Sequence, residues 1–449
     1  MNHAAIFSRG RTIALLLAGL GAASSFSAHA ETEVEALKRE LAEQRALIEK
    51  LLATQNSQKA AIEKIEARPA QAATPAAGLP QGLTLYGTLD VNAAASNSGY
   101  GRKTTLGSGG MTATSIGLKG QKQIADGLRV VGEVEMGIDL TTGDAGNGAS
   151  VYGVNNRTVS SGGFTGTGSN LFSRQAYAGL SSDAWGSLTV GRQYSGSYIA
   201  AAILGNALGP GFYGSSATWL PIIGGMPTRL NNSAVYRSPS YGGFNVHATY
   251  TVGNENNVNS TIVSGASSVT DSSGAGWDMA LLYRSKTLNA ALTTWDVKNA
   301  AFNHTGGETG LARRTGWQAV VNYDLGPVKL YGTWVAGKIS GGNYQNVTQN
   351  LSKADGWSIS AGIPWGRHTV LASYARLDDE SLRNRDGSLA GIAYTYRIHD
   401  TTWLYANYGR QSNNRNASYS LLNGGDLVGQ VARPGYNPDG FMVGLNTRF

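Results

Sequence analysis

The side chains able to do chemistry in this 449-residue chain are few and widely spaced. Beyond Leu83 there are four histidines, His247, His304, His368 and His399, and no two of them sit on one element at metal-ligand spacing. A Ser/His/Asp site would have to be gathered from distant segments, and no G-x-S-x-G turn presents a nucleophile. The run GTWVAGKI, 332–339, nearly spells a phosphate-binding loop. Ile339 stands where a hydroxyl residue is required, however, and the segment reads as a strand instead of the start of a helix. With no cysteine there is neither a disulfide framework nor a thiolate metal site. The chain therefore does not read as an enzyme, and no cofactor or metal is expected. What remains is fixed charge. Between Asp183 and Glu255 there is no acidic residue, yet Arg192, Arg229 and Arg237 fall in that stretch. Such a surplus can select anions only where low-dielectric walls confine water around it, so the question becomes which elements build the walls.

The amino-terminal elements do not. Arg9 and Arg11 precede the apolar run TIALLLAGLGAA, and SAHA follows with small residues at Ala28 and Ala30, which predicts a signal peptide, 1–30, cleaved after Ala30. The run is too short to span a bilayer. From 31 to 66, Val34, Leu37, Leu41, Ile48, Leu51, Ile62 and Ile65 recur in steps built of three and four, the seam of an α-helical coiled coil. A lone helix cannot bury that stripe, so partner helices are expected; a helix folded back on its own domain is the alternative, and the seam leaves the helix number open. The stretch ARPAQAATPAAGLPQG, 67–82, reads as a semi-extended tether.

Beyond Leu83 the hydrophobic period becomes two. In LTLYGTLDVNA, Leu83, Leu85, Leu89 and Val91 share one face while Thr84, Tyr86, Thr88, Asp90 and Asn92 share the other. LRVVGEVEMGID, FNVHATYTV and WQAVVNYD repeat the pattern, and GFMVGLNTRF closes the chain with it. Tight turns such as ADG (125–127), DAWG (183–186), YGG (241–243) and LGP (325–327) alternate strictly with long Gly/Ser/Asn-rich connections, among them 97–111, 195–230 and 412–439. Counting strands between them gives sixteen. Hydrocarbon cannot satisfy an unpaired peptide group, so a sheet placed there must close on itself. The expected fold is all-β and transmembrane: a sixteen-stranded antiparallel β-barrel over 83–449, preceded by the coiled coil. The aromatics of TWLYANYGR, 402–410, which split between faces, are expected in the interfacial girdles. Residues 83–449 hold 27 bases against 21 acids, dispersed among strands instead of clustered, which argues against nucleic-acid binding. On the polar faces, Lys119, Arg129, Lys329 and His247 are candidate lumen residues.

The stretches LTLYGTLD, SIGLKGQKQIADGLRVVGEVE, FSRQAYAGLSSDAWGSLTVGRQY and NNSAVYRSPSYGGFNVHATY, with the terminal Phe449, resemble the general porins of Gram-negative outer membranes over essentially all of 83–449. The resemblance implies passive diffusion of small hydrophilic solutes through water-filled pores. It also implies a homotrimer set in outer-membrane lipid and lipopolysaccharide, a third loop folded into each barrel, and Phe449 read by the barrel-assembly machinery. It places Arg174 of FSRQ, Arg192 of VGRQ and Arg229 of PTRLNN on the wall opposite that loop. The loop, roughly 195–230, contains no Asp or Glu, so with Arg237 added the constriction should be positive and favour small anionic solutes. Two departures bear on this. Ser115 stands where many relatives carry a further arginine, and Arg192 shares the parity of Leu188 and Val190, so it needs a strand end or a bulge to reach the lumen. The helical segment looks like the periplasmic extension of DcaP-like porins, for which three helices would be the natural count in a trimer. The structural alternative is a protein whose coiled coil tethers or spaces the outer membrane from peptidoglycan, with conduction secondary. The loop LDDESLRNRD, 377–386, reads as a solvated surface in preference to a cation or lipopolysaccharide site.

Overall fold

The structure is a computed structural model that describes residues 82–143, 145, 171–253, 274–302, 308–340, 352–423, 426–427 and 431–449. The expected signal peptide, the heptad segment 31–66 and the tether up to residue 81 lie outside the described residues.

Sixteen antiparallel strands form one closed sheet: β1 (Leu83–Asn97), β2 (in two segments, Arg102–Ser108 and Ser115–Ala125), β3 (Leu128–Gly137), β4 (Gln175–Ser182), β5 (Gly186–Tyr194), β6 (Arg229–Arg237), β7 (Phe244–Val252), β8 (Ala275–Arg284), β9 (Leu288–Phe302), β10 (Glu308–Asp324), β11 (Lys329–Ser340), β12 (Lys353–Trp365), β13 (His368–Asp379), β14 (Gly387–His399), β15 (Thr402–Asn413) and β16 (Asp439–Arg448). Closure comes from pairing of β1 with β16, in register from Thr88↔Arg448 to Asn97↔Asp439. At the seam the Phe449 amide donates to the Gly87 carbonyl (3.1 Å) and the Gly87 amide donates back (3.0 Å). The phenyl ring lies so close over Gly87 that a Cβ there would come within 2.5 Å of it.

The first long connection is shorter than the sequence suggests. Residues 102–108 pair with the end of β1, and the chain then turns inward over 109–114 before resuming β2. Asp90, fully buried on the inner face of β1, holds that inward turn. It accepts from the amides of Gly110 (2.8 Å), Met111 (2.9 Å) and Thr112 (2.9 Å), and from the Tyr405 hydroxyl (2.6 Å).

The connection from β5 to β6 also runs inside the barrel. Its first helical turns, Gly196–Ile199 and Ala200–Leu204, set Ala200 and Leu204 against Ala280, Leu282, Ala291 and Val320 on the inner wall. Its second helical part, Ser216–Trp219 and Leu220–Gly225, contributes to a larger cluster. There Leu208, Phe212, Trp219, Ile223 and Met226 pack on wall residues such as Trp295, Val335, Leu377 and Met442. One arc of the inner wall is therefore apolar because its partner is protein and not water. Tyr405 belongs to this arc. It was expected in an aromatic girdle, but it points inward, meets Phe212 edge-on at 5.3 Å and is buried. The last long connection adds Tyr419, edge-on against Trp219 at 5.5 Å.

Wall glycines make this docking possible. A Cβ on Gly409 would lie 2.5 Å from the Tyr213 Cβ, and one on Gly391 would lie 2.6 Å from the Tyr213 carbonyl oxygen. Backbone can approach backbone there only where no side chain intervenes. Outward faces differ around the cylinder. Trp277, Trp317, Trp334, Trp357 and Trp365 project from β8 to β12, whereas β1 to β4 turn only Leu, Ile, Val, Met, Ala, Gly and a few small or charged residues outward.

Candidate pore constriction

Wall side chains bond the inward loop along its length, from Gln318 on Ser197 to Thr333 on the Gly205 carbonyl, and three of them mark its start, tip and end. At its start, Asp278 on β8 accepts from the amides of Gly196 (2.6 Å) and Ser197 (3.3 Å) and from the Ser197 hydroxyl. At its tip, the buried Asn407 amide of β15 accepts from the Tyr213 N–H (2.8 Å) and donates to the Tyr213 carbonyl (3.1 Å). Near its end, the Trp295 indole donates to the Gly224 carbonyl (2.9 Å). Each anchor satisfies loop backbone groups that would otherwise be buried without a partner.

The cationic residues gather on the opposite arc, around β2 to β6. Arg174 donates from Nε to Glu135 Oε1 at 2.7 Å. Arg229 donates to the Tyr194 hydroxyl (2.7 Å) and its guanidinium lies 4.4 Å from the Tyr194 ring centroid, with the Arg174 guanidinium 5.9 Å from the same ring. Tyr194 in turn stacks on Tyr198 of the loop, at 5.4 Å and 11°. Two arginines therefore bracket an aromatic pair at the root of the loop, an arrangement in which cation–π attraction strengthens as water is excluded. Arg229 is only 5% exposed, so it acts through its field and through the loop it fixes.

Arg192 does not join this bracket. Its ladder partner on β4 is Ala176, so it keeps the parity of the exposed Leu188 and Val190. A register shift does occur beside it, between Gly191 and Gln193, but the extra residue is on β6. The Arg192 guanidinium bonds instead to the Ser173 carbonyl (2.7 Å) and to Asn231 Oδ1 (2.6 Å), tying together the ends of β4 to β6. Arg237 is half-buried on the inner face, opposite His247 in the β6–β7 ladder. His247 is 4% exposed and lies under Gly196, so it packs beneath the loop and is not open to the lumen water.

Lys119 stands over the Tyr86 ring at 5.2 Å. The Tyr86 and Tyr177 hydroxyls both donate to Glu133, at 2.5 and 2.7 Å. The wall itself supplies two carboxylates, Glu133 and Glu135, while the loop opposite carries none. Against them stand Arg174, Arg229, Arg237 and Lys119, a surplus of two positive charges on this arc. Arg129 and Lys329 lie at the short-turn end. Arg129 pairs with Asp183 at 2.5 Å, and Lys329 rests over Tyr331 at 5.5 Å. Sequence reading missed Asp90, Asp278 and Asn407 as anchors. The available signal was a carboxylate or carboxamide in mid-strand on the inner face, where a solvated channel wall has no need of one that is fully buried.

Comparison with known proteins decides the family. The model of the family described as Gram-negative porin matches residues 60–416. The chain belongs to the Gram-negative porins. An outer membrane porin protein of Bordetella pertussis is 27% identical over 321 residues, covering 66% of this chain and 76% of that relative. Outer membrane porin protein 32 of Delftia acidovorans is 25% identical over 390 residues, covering 84% and 97%. Among solved structures, an anion-selective porin from Comamonas acidovorans superposes with a TM-score of 0.59 at 20% identity, covering 82% of this chain and 99% of that one. This porin is accordingly a barrel of the cell outer membrane that passes solutes by passive diffusion, and it is not an enzyme. The inward β5–β6 connection is its third long loop.

Proposed function

We propose that this porin prefers anions, admitting small hydrophilic anionic solutes past a constriction formed by the third loop and the β2–β6 wall. One observation carries the reading: four cationic side chains face two carboxylates on that wall, while the loop opposite holds no ionisable acid. In a narrow lumen with low-dielectric walls a surplus of two charges raises the local anion concentration without any binding step. The solved neighbour from Comamonas acidovorans is itself described as anion-selective, which is in keeping.

The protein works as a homotrimer in this reading. Trp and Tyr favour the membrane–water interface, so a barrel arc whose outward faces lack them, as β1 to β4 do, suits contact with protein better than contact with lipid. The heptad segment 31–66 would then join three helices in the periplasm.

The test is the zero-current potential in planar bilayers under a potassium chloride gradient. The parent protein should show anion preference. Arg237→Glu with Lys119→Glu changes the wall by four charge units without touching the loop anchors, and should carry the potential to the cation side. Arg192→Glu alone should move it little. A parent potential of cation sign, or an unmoved double variant, refutes the proposal.

A further inference from the structure

The inward turn at 109–114 belongs neither to the sheet nor to the third loop, yet it is bonded to one and pressed against the other. Its ends are pinned to the main chain of Asp90. The Gly109 amide donates to the Asp90 carbonyl at 2.8 Å, and the Thr114 hydroxyl donates to the same carbonyl (3.0 Å) while accepting from the Asp90 amide (3.1 Å). Its tip is held by the Asp90 side chain instead. Oδ1 accepts from the Gly110 amide and the Tyr405 hydroxyl, and Oδ2 accepts from the amides of Met111 and Thr112 and from Asn446 Nδ2 at 2.7 Å. No lysine or arginine pairs with this carboxylate among the described residues. Successive amides converging on one anion form a fixed positive cradle, and bonds to an ionised acceptor are about twice as strong as neutral ones.

Seated in this way, the turn meets the tip of the third loop. A Cβ on Gly211 would lie 2.2 Å from the Met111 carbonyl oxygen and 2.7 Å from that of Gly110. The Met111 side chain packs on the apolar cluster that holds Phe212 and Trp219. Met111, Thr112 and Ala113 stay half-exposed, so their free sides border the lumen. Beyond them the second segment of β2 begins at Ser115 and leads to Lys119 on the cationic arc.

We propose that the turn 109–114 is a second wall of the constriction, and that Asp90 is the positioning residue that sets the size limit of the pore. Asp90 is fully buried and never meets a solute. It acts by holding the turn against the third loop, so that solutes pass through the gap that the turn, the loop and the β2–β6 wall leave between them. This rests on the constriction described above but not on its anion preference, because a size limit applies equally to uncharged solutes.

Liposome swelling with neutral sugars reads that limit as the rate for a disaccharide relative to the rate for a pentose, separately from the zero-current potential that tests the anion preference. Asp90→Asn keeps the side-chain volume and the main-chain pins but turns a carboxamide nitrogen toward hydrogen-bond donors. The tip should lift, and the ratio should rise several-fold. Gly110→Ala leaves the carboxylate in place and sets a Cβ 2.0 Å from the Tyr405 hydroxyl, so it should raise the ratio with no change of charge. Asp439→Asn, which loses only the rim pair with Arg102, should keep the parent ratio. Heat-modifiable migration on gels establishes that each variant is folded. Amide exchange in the parent adds a measurement that needs no variant: the amides of 110–112 should be protected as well as those of the flanking strands. An unchanged ratio in either folded variant, or rapid exchange at 110–112 in the parent, would overturn the assignment.

Discussion

At the tip of the third loop the Tyr213 backbone is bonded on both its N–H and its carbonyl by one wall side chain, which makes Asn407 an informative residue to change. Its carboxamide is 1% exposed and makes two bonds to the Tyr213 backbone, accepting from the N–H at 2.8 Å and donating to the carbonyl at 3.1 Å. Asn407→Ala removes both. A buried peptide group left without a partner costs about 1–3 kcal/mol, and lumen water can reach an opened tip, so the lower half of that range applies to each group. The two together come to about 3 kcal/mol, which is roughly a hundredfold in the equilibrium between seated and lifted tip. Asn407→Asp keeps the acceptor and loses the donor, so it should shift the same equilibrium by about tenfold. Single-channel recording provides the assay: lifting the tip changes the lumen cross-section, and the variants should show extra conductance substates, more frequent in Ala than in Asp. Conductance traces of Asn407→Ala that match the parent in level and noise would refute the claim that this carboxamide seats the loop.

Other consequences follow from the same contacts. Gly409→Val puts a side chain where Tyr213 already sits at 2.5 Å; overpacking of this kind costs about 1–3 kcal/mol, and thermal unfolding in detergent should start at a lower temperature. Phe449→Ala takes the ring from the closure seam over Gly87, so the yield of heat-resistant barrel, read on unboiled gels, should fall. Tyr419→Ala removes the edge contact to Trp219 and the hydroxyl bond to the Arg385 carbonyl (2.7 Å). Amide exchange over 216–225 should then quicken while strand amides keep their protection.

Much of the barrel was legible because the bilayer imposes one rule along its length. Every second residue of a strand must be apolar, and every backbone group must pair, so period-two runs and alternating short and long connections are enough to count sixteen strands. The closing strand GFMVGLNTRF announced itself by that parity, and the seam with β1 follows from closure. The turn at ADG and the turn at LGP were legible for a similarly local reason, since each must reverse the chain within a few residues.

The inner face was less legible. Tyr405 looked like an interfacial aromatic because parity alone cannot say whether an inward position meets water or another part of the chain. It became a core residue because the third loop, some 190 positions earlier in sequence, lies against it. Arg192 shows the converse. Its type and motif pointed to the lumen, while ladder pairing to Ala176 kept it on the outward parity.

The sequence by itself determined the closed cylinder, its orientation of greasy and wet faces, and the cationic bias of the stretch after Asp183, because these follow from residue types repeated along single strands. The tertiary structure alone decided what fills the cylinder: which glycines form a seat, which carboxylates cap the loop, and which arginines flank Tyr194. Those outcomes depend on contacts between segments far apart in the chain, and such contacts leave no period in the sequence.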